Sequence, residues 1–251
     1  MSSSAACSTR RRRLLLMSAG AALLRHPAFA GAAGAAAQLP AEVAGVAIPR
    51  SALARAAAGY ARDACPEFLF NHCLRTYVFG TLLLKRKPGS YRADDAFVAA
   101  VLHDLGLLPR FASAKASFEV DGADAAEAFM RARGAPAGEA DIVWHAVQMH
   151  DGKWALTRRQ GPEAMLVALG AGADVDGLDP GEIDARRVSE ILQAFPRLQF
   201  KRQFTALLTD HCRRKPTSQR ATWLEGLCRE QAPQAWGDSV QQAIDAAPFP
   251  E

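Results

Sequence analysis

The sequence predicts an all-α protein, a single multi-helix bundle, and three observations carry that prediction. Alanine is abundant, and it is the strongest helix former. β-Branched residues are sparse, and no apolar/polar alternation of the kind a strand requires appears anywhere. Almost every segment after Ser51 carries a helix start or stop signal. With 251 residues, 49% of them hydrophobic, the chain is long enough to bury a sizeable core.

The formal charge of +4 is concentrated at one end. Residues 1–30 hold Arg10, Arg11, Arg12, Arg13 and Arg25 and no acid, which leaves the remainder close to −1 and gives no basic surface for nucleic acid. Thr9 to Arg13 forms a charged region, Leu14 to Leu24 a short apolar run, and Ala28-Phe29-Ala30 a small-x-small cleavage site before Gly31. Residues 1–30 therefore read as a signal peptide, and the apolar run is too short for a permanent membrane anchor. The consecutive arginines, the Ala/Gly-containing core and Arg25 resemble a twin-arginine (Tat) signal. That resemblance implies the Tat export machinery as a partner and a periplasmic or exported mature protein.

Residues 31–49, rich in Ala and Gly with Pro40 and Pro49, read as a flexible linker. The expected domain spans residues 50–232, with a C-terminal helix and tail at 233–251. Ser51 caps a helix to about Ala64, and Pro66 starts the next, running past His72 to about Lys85. Asp94 opens the helix that ends in His103-Asp104, with Gly106 beyond it as a stop signal. Residues 107–120 look irregular, and Asp121 is expected to cap a helix at 122–133. Further helices are expected at 139–150, 162–172, 181–194, 197–214, 218–230 and 234–246. Cys65, Cys73, Cys212 and Cys228 show no zinc-ligand spacing. In an oxidising compartment they could pair, but buried thiols fit equally, and no disulfide is assigned.

His103-Asp104 is the first chemical signal. A carboxylate at the end of an apolar helix is costly to bury without a partner. Imidazole and carboxylate together suit Zn, Mn or Fe. Alone, the dipeptide fits an ordinary helix-end Asp beside a surface His at least as well. Other segments add metal-competent residues: His72 in Leu69-Phe70-Asn71-His72-Cys73, Asp174 in Gly172-Ala173-Asp174-Val175, and His145 and His150 on one helix. His145 stands about 140° around that helix from His150, so it points elsewhere.

The order His, His-Asp, Asp resembles the HD-domain superfamily of metal-dependent hydrolases. Asn71-His72-Cys73-Leu74-Arg75 and Ala100-Val101-Leu102-His103-Asp104 look like its ligand segments. Lys115-Ala116-Ser117-Phe118-Glu119, Val147-Gln148-Met149-His150-Asp151, Pro196-Arg197-Leu198-Gln199-Phe200 and Arg214-Lys215-Pro216 resemble the cyanamide hydratase-like branch. The resemblance implies His72, His103, Asp104 and Asp174 as ligands of one divalent ion, zinc foremost with iron or manganese as alternatives. Such an ion lowers the pKa of its water toward neutrality.

The same resemblance points to His150, Glu119 and Lys115 as catalytic candidates. Each has a plain alternative: His150 could bind substrate or a second ion, Glu119 could cap the next helix, and Lys115 could be a solvated loop lysine. Phe118, Trp144 and Trp154 could wall a pocket or simply pack. Leu107 follows Gly106 where many HD phosphohydrolases carry lysine, which weighs against nucleotide or phosphoester chemistry, and no GYP-type extension follows, which weighs against cyclic-dinucleotide hydrolysis. The implied activity is hydration of a small polar substrate, such as a nitrile- or cyanamide-like group. The alternatives are a phosphohydrolase acting on a nucleotide or phosphoester, and a non-catalytic metal- or ligand-binding module. Self-association is left open.

Overall fold

The computed structural model describes residues 39–85, 90–152, 154–177, 181–237 and 239–248. The expected signal peptide and the first part of the linker lie outside the described residues. No described helix is long and apolar enough to cross a membrane.

Residues 39–49, expected as the end of a linker, form a hairpin. β1 (Glu42–Val43) pairs antiparallel with β2 (Val46–Ala47) in the register Glu42↔Ala47, Val43↔Val46. Ala44 and Gly45 turn the chain at φ 52° and 79°, the left-handed pair that a two-residue hairpin loop requires. Val43, Val46 and Ile48 are buried in the main core, so the hairpin is part of the helical body.

The rest is helical. α1 (Ala52–Ala64) starts where Ser51 Oγ accepts the Ala54 N–H at 3.0 Å, and α2 (Glu67–Leu84) follows Pro66. α3 (Ala93–Leu102) is buried from Asp95 to Leu102, which makes it the central rod of the bundle. Two short 3₁₀ turns, Leu105–Leu107 and Pro109–Phe111, fill the segment expected to be irregular. α4 (Phe118–Ala132) begins a turn earlier than expected, with Ser117 rather than Asp121 at the N-cap. Asp121 is buried inside the first turn and ion-paired with the buried Lys215. α5 (Ala137–Gln148), α6 (Trp154–Thr157) and α7 (Pro162–Asp176) complete the half that surrounds α3. Then come α8 (Ala185–Ala194), α9 (Phe200–Arg214), α10 (Glu225–Gln231) and α11 (Val240–Asp245).

The approach of α2 to α7 decides where the chemistry sits. A Cβ on Gly170 would lie 1.8 Å from the Thr76 carbonyl oxygen, and one on Gly80 would lie 2.1 Å from that of Leu166. Neither position tolerates a side chain, so the two backbones touch and Asp174 is brought against His72 one helical turn further on. Gly106 is a close-approach glycine as well. A Cβ there would meet the Phe118 carbonyl at 1.9 Å, so the turn after His103-Asp104 is pressed against the start of α4.

Cys212 on α9 and Cys228 on α10 form a buried disulfide with Cα atoms 4.6 Å apart. Cys65 and Cys73 are free thiols.

Candidate metal centre

His72 comes from the buried face of α2, His103 from the end of α3, and Asp104 from the turn that follows. One donor atom from each lies within 4.8 Å of the others, and all three residues are buried. Asp104 Oδ2 stands 3.4 Å from His72 Nε2 and 3.3 Å from His103 Nε2.

The protonation pattern follows from what faces the other nitrogen of each ring. His103 Nδ1 is 2.8 Å from the Ala100 carbonyl oxygen, and His150 Nδ1 is 2.6 Å from that of Val147. A carbonyl can only accept, so both Nδ1 atoms carry hydrogen. His72 Nδ1 likewise donates to Asp174 Oδ2 at 2.7 Å. Burial pushes the His103 pKa down to about 3, so its imidazole is neutral at pH 7 and its Nε2 presents a lone pair. Lone pairs on His72 and His103 thus converge on a carboxylate oxygen that has no hydrogen-bond donor of its own. Three acceptors facing one another in a dry site repel, and a divalent cation is what such a set fits. His150 Nε2 stands at the edge, 4.0 Å from Asp104 Oδ1.

Asp174 occupies a different position from the one the ligand pattern implies. It lies beyond the Nδ1 edge of His72, away from the cluster. Its Oδ1 accepts from Arg75 Nε at 2.8 Å and Arg197 Nη1 at 2.7 Å, while its Oδ2 accepts from His72 Nδ1 and Arg75 Nη2, both at 2.7 Å. Those four bonds use the four lone-pair directions of a carboxylate. Burial alone would raise its pKa, but the hydrogen bonds from His72 and Arg75 and the charge of Arg75 prevail and hold it below the usual carboxylate range. The arrangement matches a carboxylate that fixes the tautomer and angle of a ligating histidine. Arg75, fully buried and bonded also to the Phe195 and Pro196 carbonyls, is the residue that sequence reasoning passed over. Its signal was its place three residues after His72, on the same face of α2.

The remaining candidates separate. Phe118, His150 and Asp151 line the pocket over the ligand cluster, as do Phe204, Asp176 and Trp223, which the sequence did not single out. Glu119 is buried beside Asp151; desolvation and the Asp151 carboxyl push its pKa up to about 8. Burial raises Asp151 as well, so the two carboxyls retain a proton between them near neutrality. Gln219, oriented as its neighbours demand, donates to Glu119 at 3.2 Å and accepts the Phe118 backbone N–H at 3.0 Å. Lys115 is exposed in the loop before α4 and does not line the pocket. His145 faces Asp141 at 3.8 Å, Trp144 donates to Asp124, and Trp154 is exposed.

Residues 69–172 match the family model described as HD domain. The match runs from Leu69 in α2 to Gly172 in α7, so it contains His72, His103 and Asp104 and ends two residues short of Asp174. The matched segment forms the middle of this helical bundle, and its His/His/Asp cluster is a candidate site for a divalent metal ion. Members of that superfamily are generally metal-dependent hydrolases. No curated protein matches the chain.

Proposed function

We propose that the protein is an exported, metal-dependent enzyme that adds water to a small uncharged molecule, with a nitrile- or cyanamide-like group as the best-fitting substrate. One observation carries this proposal. The pocket over the ligand cluster has a volume of about 160 Å³, and no lysine or arginine is found among its described lining residues. Nearby cations are engaged elsewhere, Arg75 and Arg197 by Asp174 and Lys215 by Asp121. A phosphoester would enter beside three aspartates with no guanidinium or ammonium to meet it. A small neutral substrate meets apolar walls of Phe118, Val175 and Phe204.

His72 Nε2, His103 Nε2 and an Asp104 oxygen would hold the ion, with zinc suited to this donor set and iron or manganese also compatible. Bound there, it supplies Lewis acidity and a water of lowered pKa. The chain's own groups handle the protons. Hydration of a nitrile takes one proton from water and gives one to the nitrile nitrogen. His150, with Nδ1 fixed as donor, accepts at Nε2. The Glu119–Asp151 pair retains a proton and exposes Asp151 to the pocket, so it serves as the donor. Asp174 is a positioning residue that holds His72. The buried Cys212–Cys228 disulfide supports an oxidising destination such as the periplasm.

Mature protein loaded in turn with zinc, iron and manganese, and supplied with cyanamide, acetonitrile and generic phosphoesters, tests the proposal. Amide or urea formation without phosphate release is the expected result. Phosphate release without hydration would replace this reading with the phosphohydrolase one, and metal binding with neither product would leave a binding module.

A further inference from the structure

Beside the metal pocket lies a second and larger cavity of about 510 Å³, bounded by Ser117, Glu119, Gln148, Leu156 and Thr222. The two cavities have Asp151 and Trp223 in common, so these side chains form the partition between them. Trp223 is 46% exposed. Its indole lies beside the Asp151 carboxyl, which lines both spaces with it.

The backbone that carries it is tied down along its length. Residues 215–224 connect α9 to α10, and the Cys212–Cys228 disulfide joins those helices across a separation of 16 residues. Within the segment, Lys215 is bonded to Asp121, Gln219 to Glu119, and Thr222 Oγ1 to the Gln219 carbonyl at 3.1 Å. These bonds hold the segment that carries Trp223 against the start of α4.

We infer that Trp223 is a specificity-determining wall of the metal pocket, an indole that favours molecules of about single-ring size by standing between the pocket and the neighbouring cavity. The inference rests on the metal-centre reading above. The pocket volume of about 160 Å³ sets the scale, since a protein cavity of about 150 Å³ holds one benzene. Removing the indole joins the small chamber to the large one and lets a longer molecule reach the metal while extending into the outer space.

Two ligands of the same donor chemistry and different length separate the cases. Cobalt(II)-loaded wild type, Trp223→Ala and Trp223→Phe are titrated with imidazole and with 4-phenylimidazole, and the visible absorption of the cobalt is followed. Wild type should bind the phenyl compound at least about tenfold more weakly than imidazole, the expected result of overfilling a packed site. In Trp223→Ala that gap should close to within about twofold, and Trp223→Phe should fall between. Equal binding of both ligands by wild type, or an undiminished gap in Trp223→Ala, would overturn the inference. If imidazole leaves the wild-type cobalt spectrum unchanged, the metal-centre reading itself fails and takes the wall with it.

Discussion

The half of the molecule from α2 to α7 and the half from α8 to α11 contribute different things to one site. The first supplies every donor atom of the candidate metal cluster and most of the pocket lining, and the second adds braces and one wall. Arg197 braces Asp174, Phe200 stacks on the His72 ring at 4.8 Å, Gln219 holds Glu119, and Trp223 walls the pocket. Donors sit on a rigid, glycine-packed helical core. Walls and braces sit on helix ends and connections, held in part by a disulfide. Chemistry is thus fixed by the matched HD segment, while selectivity is placed on elements that can change without disturbing the donors.

The comparison predicts that loss of a donor acts on the metal, while changes to the packing and braces around the donors act on geometry, stability or selectivity. The largest effect should come from His103→Ala, Asp104→Ala. Metal content measured by elemental analysis should drop to background while the helical circular dichroism signal persists. Unaltered metal content would move the centre elsewhere. Next is Asp174→Asn, which keeps the shape but weakens the grip on His72. A positioning carboxylate predicts about 10- to 100-fold weaker metal binding in a competitive chelator titration, whereas abolished binding would make Asp174 a direct ligand. Gly170→Ala forces α2 and α7 apart and should cost about 1–3 kcal/mol in urea unfolding.

The smallest expected effect concerns pH. His211 in α9 is fully buried, and desolvation together with Lys215 and Arg214 lowers its pKa from 6.5 to about 4. The unfolded chain therefore binds a proton at His211 more readily than the folded one does. Its contribution to stability is intact above pH 6.5 and falls as the pH drops from there toward 4. Between pH 7 and 5 the wild type should lose about 1–2 kcal/mol through this residue, and His211→Gln should flatten that part of the slope. An identical slope in the variant would contradict the assignment.

The helical class, the starts of α1, α2 and α3, and the union of His72 with His103-Asp104 were legible because each depends on local signals or on residue types with few other reasons to be buried. The hairpin at 42–47 was not, since an Ala-Gly turn between short valine pairs looks compositionally like a linker. Ser117 and Asp121 are both good caps, and only the pairing of Asp121 with Lys215, 94 residues away, shows which one is inside the helix. Asp174 was expected as a fourth ligand, and the structure sets it instead behind the Nδ1 edge of His72. Its saturation by Arg75 and Arg197 depends on the closeness of α2 and α7 and on α9's approach, neither of which is encoded in spacing. The disulfide joins two cysteines that carry no pattern until α9 and α10 are packed together.

The central claim is that His72, His103 and Asp104 hold a divalent ion while Asp174 stays behind His72. Anomalous diffraction at the metal edge, from crystals of zinc-loaded mature protein, tests it directly. The account predicts a peak about 2.0–2.2 Å from His72 Nε2, His103 Nε2 and an Asp104 oxygen, with the Asp174 carboxylate still paired to Arg75. A peak bonded to Asp174, or one remote from His103 and Asp104, would contradict it.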